Sequence, residues 1–354
     1  MKTIMIMAGG TGGHIFPGLA VAAEMRAAGW EVVWMGNRGG MEERLVPPHG
    51  HRTAWIRARA ARGKGLIAKL LLPANLLLSF WESARHILRV KPDVVLGLGG
   101  YVAFPGGMMA SLLNRPLALH EQNAIAGLAN RVLANVADKL MVGFPEALNG
   151  GEWTGNPVRS AISALPVPEN RFKERKGPLR ILVVGGSLGA QALNESLPKA
   201  LALMDEKPLV VHQAGERHLD SLKKNYEEAG VTGELVAFID DMASRYAAAD
   251  LVICRAGAVT VAELSAAGMA SILVPFPHAV DDHQTANARF LSSRGAAILL
   301  PQTELTPRSL ARVIGSLDRP KLLEMARKAR ALGKPDAARV VSERCMQLSG
   351  ASKR

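Results

Sequence analysis

The sequence predicts an α/β protein made of two Rossmann-like domains that face a cleft, and three observations support this prediction. Two glycine-rich turns, at residues 9–13 and 185–189, occupy matching places in the two halves of the chain. Each turn follows a short apolar run typical of a buried strand and precedes a segment whose apolar residues have helical spacing. The chain has 354 residues, which suits two domains of about 150–180 residues better than a single core.

The predicted elements alternate between strand and helix in both halves, a pattern typical of parallel sheets covered by helices. Gly155-Asn156-Pro157, followed by prolines and a charged segment, predicts the boundary between the halves. We expect domains at 1–158 and 159–335 and a closing helical segment at 336–354. The predicted strands lie at or near 3–8, 31–35, 94–98, 117–120 and 139–142 in the first half, and 180–184, 209–213, 235–238, 251–254 and 271–274 in the second.

A glycine turn between a strand and a helix is a natural binding site for anions, because the first N–H groups of a helix lack partners and the helix dipole is positive there. The pattern differs from the dinucleotide-binding fingerprint. Residue 15 is Ile where a third glycine is expected, and the second strand ends in Gly36-Asn37 with no carboxylate for a ribose. The alternative is that each turn only closes a strand–helix corner.

The composition indicates a soluble globular protein, since 48% of the residues are hydrophobic and 21% are charged. The two cysteines, Cys254 and Cys345, are too few for a disulfide framework or a cysteine-rich zinc site, which favours a reducing cytoplasm. The apolar run after Lys2 is too short for the hydrophobic region of a signal peptide. We therefore expect no export.

Basic residues are concentrated between Arg52 and Lys91, where nine lysines and arginines accompany a single acid, Glu82. The apolar run 66–81 inside this segment is shorter than the ~20 residues that span a bilayer. Apolar helix surface flanked by cations suits an anionic membrane surface. A core helix with a solvated basic rim is the alternative. Binding to nucleic acid is not expected, because the segment offers leucines where single strands need stacking aromatics.

Seven segments occur in an order and spacing that closely resemble the MurG family of glycosyltransferases: 9–17, 120–123, 155–159, 185–190, 240–242, 255–263, and 275–277 with Gln284. The resemblance implies the glycosyltransferase-B arrangement, with the final helix packed back on the first domain. It also implies an inverting transfer of N-acetylglucosamine from UDP-N-acetylglucosamine to the C4 hydroxyl of undecaprenyl-diphosphate-MurNAc-pentapeptide. The enzyme would be peripheral, at the cytoplasmic face of the inner membrane.

The resemblance further implies which residues meet the substrates. The donor would lie mainly on the second domain, with Ser187 at the diphosphate, Ile239 at the uracil and Glu263 at the ribose. Gln284 would contact sugar hydroxyls, and Arg159 would reach the phosphates. A helix start would form one wall of the donor site, with Ala258, Val259, Thr260, Val261, Ala262 and Glu263. From the first domain, the transferred sugar would be approached by Thr11, Gly12, Gly13 and Asn123.

An inverting transfer needs a base for the acceptor hydroxyl and a group that holds the departing charge. His14 is one candidate base, because histidine titrates near neutral pH. Glu121 is the other, although it could be a solvated carboxylate at a strand end. The sequence has no D-x-D pair, so we expect backbone N–H groups at 186–189 with Arg159 to replace a metal. No metal and no cofactor are expected.

Two structural alternatives and two functional ones remain open from the sequence. Glu263 lies three residues after Thr260, which is also the spacing of a helix capping box. The loop with His278, Asp281, Asp282 and His283 is expected to line the sugar pocket rather than to hold a metal. The functional alternatives are another UDP-sugar enzyme of the same fold, such as a transferase or UDP-N-acetylglucosamine 2-epimerase, and a non-catalytic nucleotide- or nucleic-acid-binding module.

Overall fold

The computed structural model describes residues 1–58, 72–186 and 189–350, which divide into two compact units. Unit 1 comprises residues 1–159 and 336–354, and unit 2 comprises residues 160–335. Each unit is a parallel sheet with helices on both faces, so the predicted pair of Rossmann-like domains is confirmed. Within the described ranges, no helix is long and apolar enough to cross a bilayer.

The sheet of unit 1 has seven described strands in the order β3-β2-β1-β4-β5-β6-β7, and neighbouring strands are parallel. This is the strand order of a doubly wound fold, which binds ligands at the carboxyl ends of its strands. The strands are β1 (Thr3–Ala8), β2 (Glu31–Asn37), β3 (Arg52–Ile56), β4 (Val94–Gly99), β5 (Leu117–Glu121), β6 (Lys139–Val142) and β7 (Glu152–Trp153). The helices are α1 (Gly12–Ala27), α2 (Glu42–Leu45), α3 (Leu72–Val90), α4 (Ala103–Leu112) and α5 (Leu128–Leu133), with a 3₁₀ turn at Pro47–His49.

Unit 2 repeats the plan with six described parallel strands in the order β10-β9-β8-β11-β12-β13. The strands are β8 (Arg180–Val184), β9 (Leu209–Gln213), β10 (Glu234–Val236), β11 (Leu251–Cys254), β12 (Ser271–Leu273) and β13 (Ala297–Leu299). Its helices are α6 (Ser160–Ser163), α7 (Pro168–Phe172), α8 (Gln191–Ala202), α9 (Leu219–Glu228), α10 (Met242–Ala248), α11 (Ala258–Ala267), α12 (His283–Ser292), α13 (Pro307–Gly315) and α14 (Arg319–Leu332). Two 3₁₀ turns lie at Val280–Asp282 and Gln302–Glu304.

The central strands form because both of their faces are covered, which favours continuous apolar runs over alternation. All six residues of β1 are buried. The strands that sequence reasoning missed lie at sheet edges or are very short. Strand β3 falls in a region predicted to be helical, because its sequence begins with Arg52 and Thr53 and resembles the basic segment that follows. The two-residue β7 and the three-residue β13 carry too little pattern to be recognised.

The last helix, α15 (Ala337–Gly350), packs on unit 1. Val341 and Cys345 belong to the same buried cluster as the residues of α1 that face the sheet. Arg344 donates hydrogen bonds of 2.7–3.0 Å to both carboxylate oxygens of Glu152 in β7, and Lys139 Nζ lies 2.7 Å from Glu152 Oε2. These cations lower the pKa of Glu152 from 4.5 to about 2.

We expect Glu152→Gln to reduce the resistance of the protein to urea at neutral pH, because the carboxylate loses its ion pairs with Arg344 and Lys139. A carboxyl with a lowered pKa stabilises the folded state above its ordinary value of 4.5, and this contribution is lost as the pH falls toward about 2. The difference between the urea midpoints of the two proteins should therefore become smaller as the pH is lowered from about 7 to about 3. The exposed Glu206→Gln is the control, and a gap that stays constant with pH would contradict the assignment.

Candidate active site

The first glycine turn lies at the carboxyl end of β1 and leads into α1. Thr11 precedes the helix in an extended conformation, and Gly12 and Gly13 form its first turn. The N–H groups of this turn are the ones that a helix leaves for a ligand. The structure thus places Thr11, Gly12 and Gly13 together at a helix start, as the sequence predicts.

A buried carboxylate that sequence reasoning missed holds this turn in place. Glu42 is fully buried, and its oxygens accept hydrogen bonds from Gly10 N at 3.1 Å and Asn37 N at 2.8 Å. Gly9 and Gly40 leave room for it, since a Cβ on either would lie 2.4 or 2.5 Å from a carboxylate oxygen. The one signal of this role in the sequence is the group of glycines at 36, 39 and 40. A cavity of about 720 Å³ opens beside this turn, lined by the 9–10 and 37–42 loops, Ala58, Tyr101 and Val102.

His14 lies in the first turn of α1, with its imidazole half-buried. Nδ1 lies 2.8 Å from Oε1 of Gln122, just beyond the end of β5. The ring also packs against Gly99 at the end of β4, where a Cβ would lie 2.9 Å from Nδ1 and Cε1. Gly99 has φ of +107°, a conformation that glycine adopts without strain. Three strand ends therefore fix the position of this imidazole.

Glu121 is buried, with only 2% of its surface exposed, so the alternative of a solvated carboxylate at a strand end is wrong. Its Oε1 accepts hydrogen bonds from the backbone N of Asn123 at 2.8 Å and from Asn123 Nδ2 at 3.2 Å. Its Oε2 accepts from Gly127 N at 3.2 Å and from Asn130 Nδ2 at 2.7 Å. This carboxylate therefore shapes the loop at 122–127 and orients Asn123.

The second glycine turn occupies the corresponding place in unit 2, after β8. Ser187 lies outside the described residues. Gly186 N donates to Gln213 Oε1 at 3.1 Å, and Gly189 N donates to the carbonyl of Gly186 at 3.0 Å. Both belong to the N–H groups at 186–189 that were expected to hold the leaving group, and both bond within the protein, whereas residues 187 and 188 lie outside the described residues. Among the described residues, Leu193 N is the first N–H of α8 that donates to a backbone carbonyl, so the N–H groups at 191 and 192 are those that the helix start would offer to an anion.

The predicted wall of the donor site is the start of α11. The helix begins after Gly257, so Thr260 lies within its first turn and the capping-box interpretation of Thr260 with Glu263 is wrong. Ala258, Val261 and Glu263 are buried, and Val259, Thr260 and Ala262 are half-buried. Glu263 accepts a hydrogen bond from Tyr246 Oη in α10 at 3.2 Å. Its carboxylate is thus held by a neighbouring helix.

The remaining predicted donor residues lie on a loop or at a helix start of unit 2, or at the end of unit 1. Gln284, in the first turn of α12, accepts a hydrogen bond from Phe276 N at 2.9 Å. Ile239 is 8% exposed. The guanidinium of Arg159 stacks over Phe16 of α1, 5.6 Å from the ring centre. Among the described side chains, no three His, Cys, Asp or Glu come together as metal ligands.

Comparison with known proteins identifies the family. Residues 4–142 match the glycosyltransferase family 28 N-terminal domain, and residues 180–341 match the C-terminal domain of that family. A protein of Aromatoleum aromaticum, named UDP-N-acetylglucosamine–N-acetylmuramyl-(pentapeptide) pyrophosphoryl-undecaprenol N-acetylglucosamine transferase, is 62% identical, covering 100% of both chains. The crystal structure of Acinetobacter baumannii MurG matches 98% of this chain and 100% of its own, with 41% identity and a TM-score of 0.86. The chain belongs to the MurG family of glycosyltransferases.

Membership of this family confirms the predicted resemblance and makes the protein a glycosyltransferase. A UDP-N-acetylglucosamine 2-epimerase from Neisseria meningitidis also matches, with a TM-score of 0.68. Its identity to this chain is only 12%, so it shares the fold alone.

Proposed function

We propose that this protein transfers N-acetylglucosamine from UDP-N-acetylglucosamine to the C4 hydroxyl of undecaprenyl-diphosphate-MurNAc-pentapeptide, with inversion of the anomeric carbon. This is the step of peptidoglycan synthesis that converts lipid I into lipid II. The name of the 62% identical relative includes both substrates. The structural observation that supports the reaction most directly is the imidazole of His14, fixed at a helix start that suits an anion.

His14 acts as the base in this proposal, and Glu121 holds the loop beside it. The oxygens of Glu121 accept four hydrogen bonds, two of them from backbone N–H groups, which proton transfer to this carboxylate would disturb. His14 bonds to Gln122 through Nδ1, so Nε2 is the nitrogen that can take a proton. The acceptor oxygen attacks the anomeric carbon as its proton passes to Nε2. The bond from that carbon to phosphate oxygen breaks, and UDP leaves with the electron pair.

The donor binds to unit 2 in this proposal. The start of α8 and Ser187 receive the diphosphate, Glu263 the ribose hydroxyls, Ile239 the uracil and Gln284 the sugar. Arg159 adds a positive charge for the phosphates. The helix starts and Arg159 would then stabilise the departing UDP without a metal. Unit 1 supplies the acceptor site, with Thr11, Gly12, Gly13 and Asn123 toward the transferred sugar and the 720 Å³ cavity beside the first glycine turn.

One assay tests the proposed reaction. The full chain is incubated with a lipid-diphosphate-MurNAc-peptide acceptor and with UDP-N-acetylglucosamine, UDP-glucose or UDP-N-acetylgalactosamine in parallel. We expect transfer from UDP-N-acetylglucosamine to be strongly preferred. Formation of UDP-N-acetylmannosamine without any transfer would support the epimerase alternative instead.

We expect Glu263→Ala to raise the KM for UDP-N-acetylglucosamine more than tenfold, because a hydrogen bond between a ribose hydroxyl and a charged carboxylate contributes about 1.5–3 kcal/mol. Tyr246→Phe is the matched control, since it removes the hydroxyl that donates to Glu263 but leaves the carboxylate in place. An unchanged KM in a folded Glu263→Ala protein would rule out the ribose role.

We also propose that α3 brings unit 1 to the cytoplasmic face of the inner membrane. One stripe of the helix exposes apolar side chains, with Leu77 69% exposed, Trp81 57% and Leu88 54%. Arg85 lies over the Trp81 ring at 5.6 Å, so charge and apolar surface are adjacent. The acid in this segment, Glu82, is buried and bonded to Arg57. The core-helix alternative does not account for this exposed stripe. The basic residues Arg59, Arg62, Lys64 and Lys69 lie outside the described residues.

We expect the double variant Leu77→Ser with Trp81→Ser to sediment several-fold less with phosphatidylglycerol vesicles at low salt, because these side chains supply apolar area to the membrane. Wild-type binding should largely disappear in about 0.5 M salt, since salt screens the ~1 kcal/mol that each cation contributes. Leu203→Ser, at an equally exposed leucine of unit 2, is the control. Turnover of a short-chain soluble acceptor should be unaffected. Equal sedimentation of the double variant and the wild type would show that the stripe does not bind the membrane.

A further inference from the structure

We propose that a buried hydrogen-bonded chain through Gln122 and His120 fixes His14 in the tautomer with its proton on Nδ1, so that Nε2 presents a lone pair to the acceptor hydroxyl. The inference rests on the proposed function in one respect, since it gives His14 a proton to accept. Three contacts make the chain: Gly155 O to His120 Nε2 at 2.9 Å, His120 Nδ1 to Gln122 Nε2 at 3.0 Å, and Gln122 Oε1 to His14 Nδ1 at 2.8 Å.

The donor and acceptor roles in this hydrogen-bonded chain are set at its buried end. The carbonyl of Gly155 can only accept, so His120 Nε2 carries a proton and donates it. His120 is fully buried, and burial lowers its pKa to about 4. It is therefore neutral at physiological pH and has one ring proton, which is the one on Nε2. Its Nδ1 must accept a hydrogen bond.

The donor and acceptor roles of His120 in turn determine the orientation of the Gln122 side-chain amide. Its Nε2 lies 3.0 Å from His120 Nδ1 and 2.8 Å from the carbonyl oxygen of His120, and both of these atoms are acceptors. A flipped amide would place Oε1 against two acceptors, so the NH₂ end belongs here. Gln122 is only 1% exposed, and the backbone carbonyl oxygen of the same residue accepts a hydrogen bond from Asn156 Nδ2 at 2.9 Å. The side chain is thus held in one orientation.

The orientation of Gln122 determines the tautomer of His14. Gln122 Oε1 can only accept, so His14 Nδ1 must be the donor and Nε2 of the neutral ring has the lone pair. Free imidazole has no such fixed choice. The amide oxygen orients the base as the carboxylate does in a Ser-His-Asp triad, but it places no negative charge beside the ring. The bond from Nδ1 also survives when Nε2 takes the proton, so the chain need not rearrange during the reaction.

The tautomer can be measured directly. In the full chain labelled with ¹⁵N-histidine, long-range proton–nitrogen spectra at about pH 8 distinguish protonated from unprotonated ring nitrogens, and His14→Ala assigns the signal. We expect the Nδ1–H form of His14 in the wild type. Gln122→Met keeps the side-chain size without hydrogen bonding and should give a mixture with the Nε2–H form. Gln213→Met is the control, because Gln213 is an equally buried amide of unit 2 and should leave the His14 signal unchanged.

The kinetic effect of Gln122→Met should be a kcat about 10-fold to 100-fold lower, with the KM for UDP-N-acetylglucosamine within threefold, as expected for a positioning residue. An Nε2–H signal in the wild type overturns the inference without any variant. An unchanged tautomer and kcat in folded Gln122→Met overturns it as well. If His14→Ala itself retains full kcat, the assignment of the base is wrong, whereas the spectra still decide whether the chain fixes the tautomer.

Discussion

His14→Ala should lower kcat by about 10²- to 10⁴-fold and leave the KM for UDP-N-acetylglucosamine within threefold. General-base catalysis acts in the transition state, so its loss reduces kcat, whereas most of the proposed donor-binding residues lie in unit 2, away from the substituted histidine. The measurement is steady-state transfer at saturating acceptor. His49→Ala, at an exposed histidine of the same unit, is the control.

The same experiment distinguishes the two candidate bases. Glu121→Gln should mainly lower the free energy of unfolding and should affect kcat less. The reason is that its new NH₂ group would face N–H donors of the 122–130 loop. A mild effect of His14→Ala together with a loss of 10²-fold or more in Glu121→Gln would move the assignment of the base to Glu121.

Asp250→Ala should destabilise unit 2 by about 3–5 kcal/mol, because it leaves the buried guanidinium of Arg175 without its carboxylate. Asp250 is fully buried and precedes β11 at its amino end. Oδ1 lies 2.5 Å from Arg175 Nη1, Oδ2 lies 3.2 Å from Arg319 Nη2, and Arg180 N donates to Oδ2 at 2.9 Å. The Arg175 side chain is only 9% exposed, so bulk water solvates it poorly once the carboxylate is lost.

Urea unfolding followed by circular dichroism measures this effect. Asp220→Ala is the matched control, because Asp220 is fully exposed and lies 3.9 Å from Lys223, so its loss should change the urea midpoint far less. Since Asp250 lies at the opposite end of the sheet from the glycine turn, the folded variant should keep its KM for the donor. A destabilisation of Asp250→Ala no larger than that of Asp220→Ala would contradict the importance of this buried cluster.

Local sequence patterns were sufficient where an element's own residues determine its structure. Strands β1 and β4 are buried on both faces and read as apolar runs, and glycine follows each of them where the chain turns. The turn at 9–13 and the start of α1 could therefore be predicted together with His14. Edge strand β3 could not, because an edge strand needs only one apolar face and its polar residues resemble those of a helix.

The sequence by itself determined the two Rossmann-like domains, the family, and the residues that lie at strand ends and helix starts. Only the tertiary structure decided what holds those residues. Glu42 bonds to Gly10 across 32 residues, Gln122 reaches His14 across 108, and Tyr246 reaches Glu263 from another helix. The physical reason is that periodicity and turn chemistry act over a few residues, whereas a buried polar group must find its partner wherever the fold brings one. Whether Glu121 is solvated or buried, and which nitrogen of His14 is available, are decided by such partners.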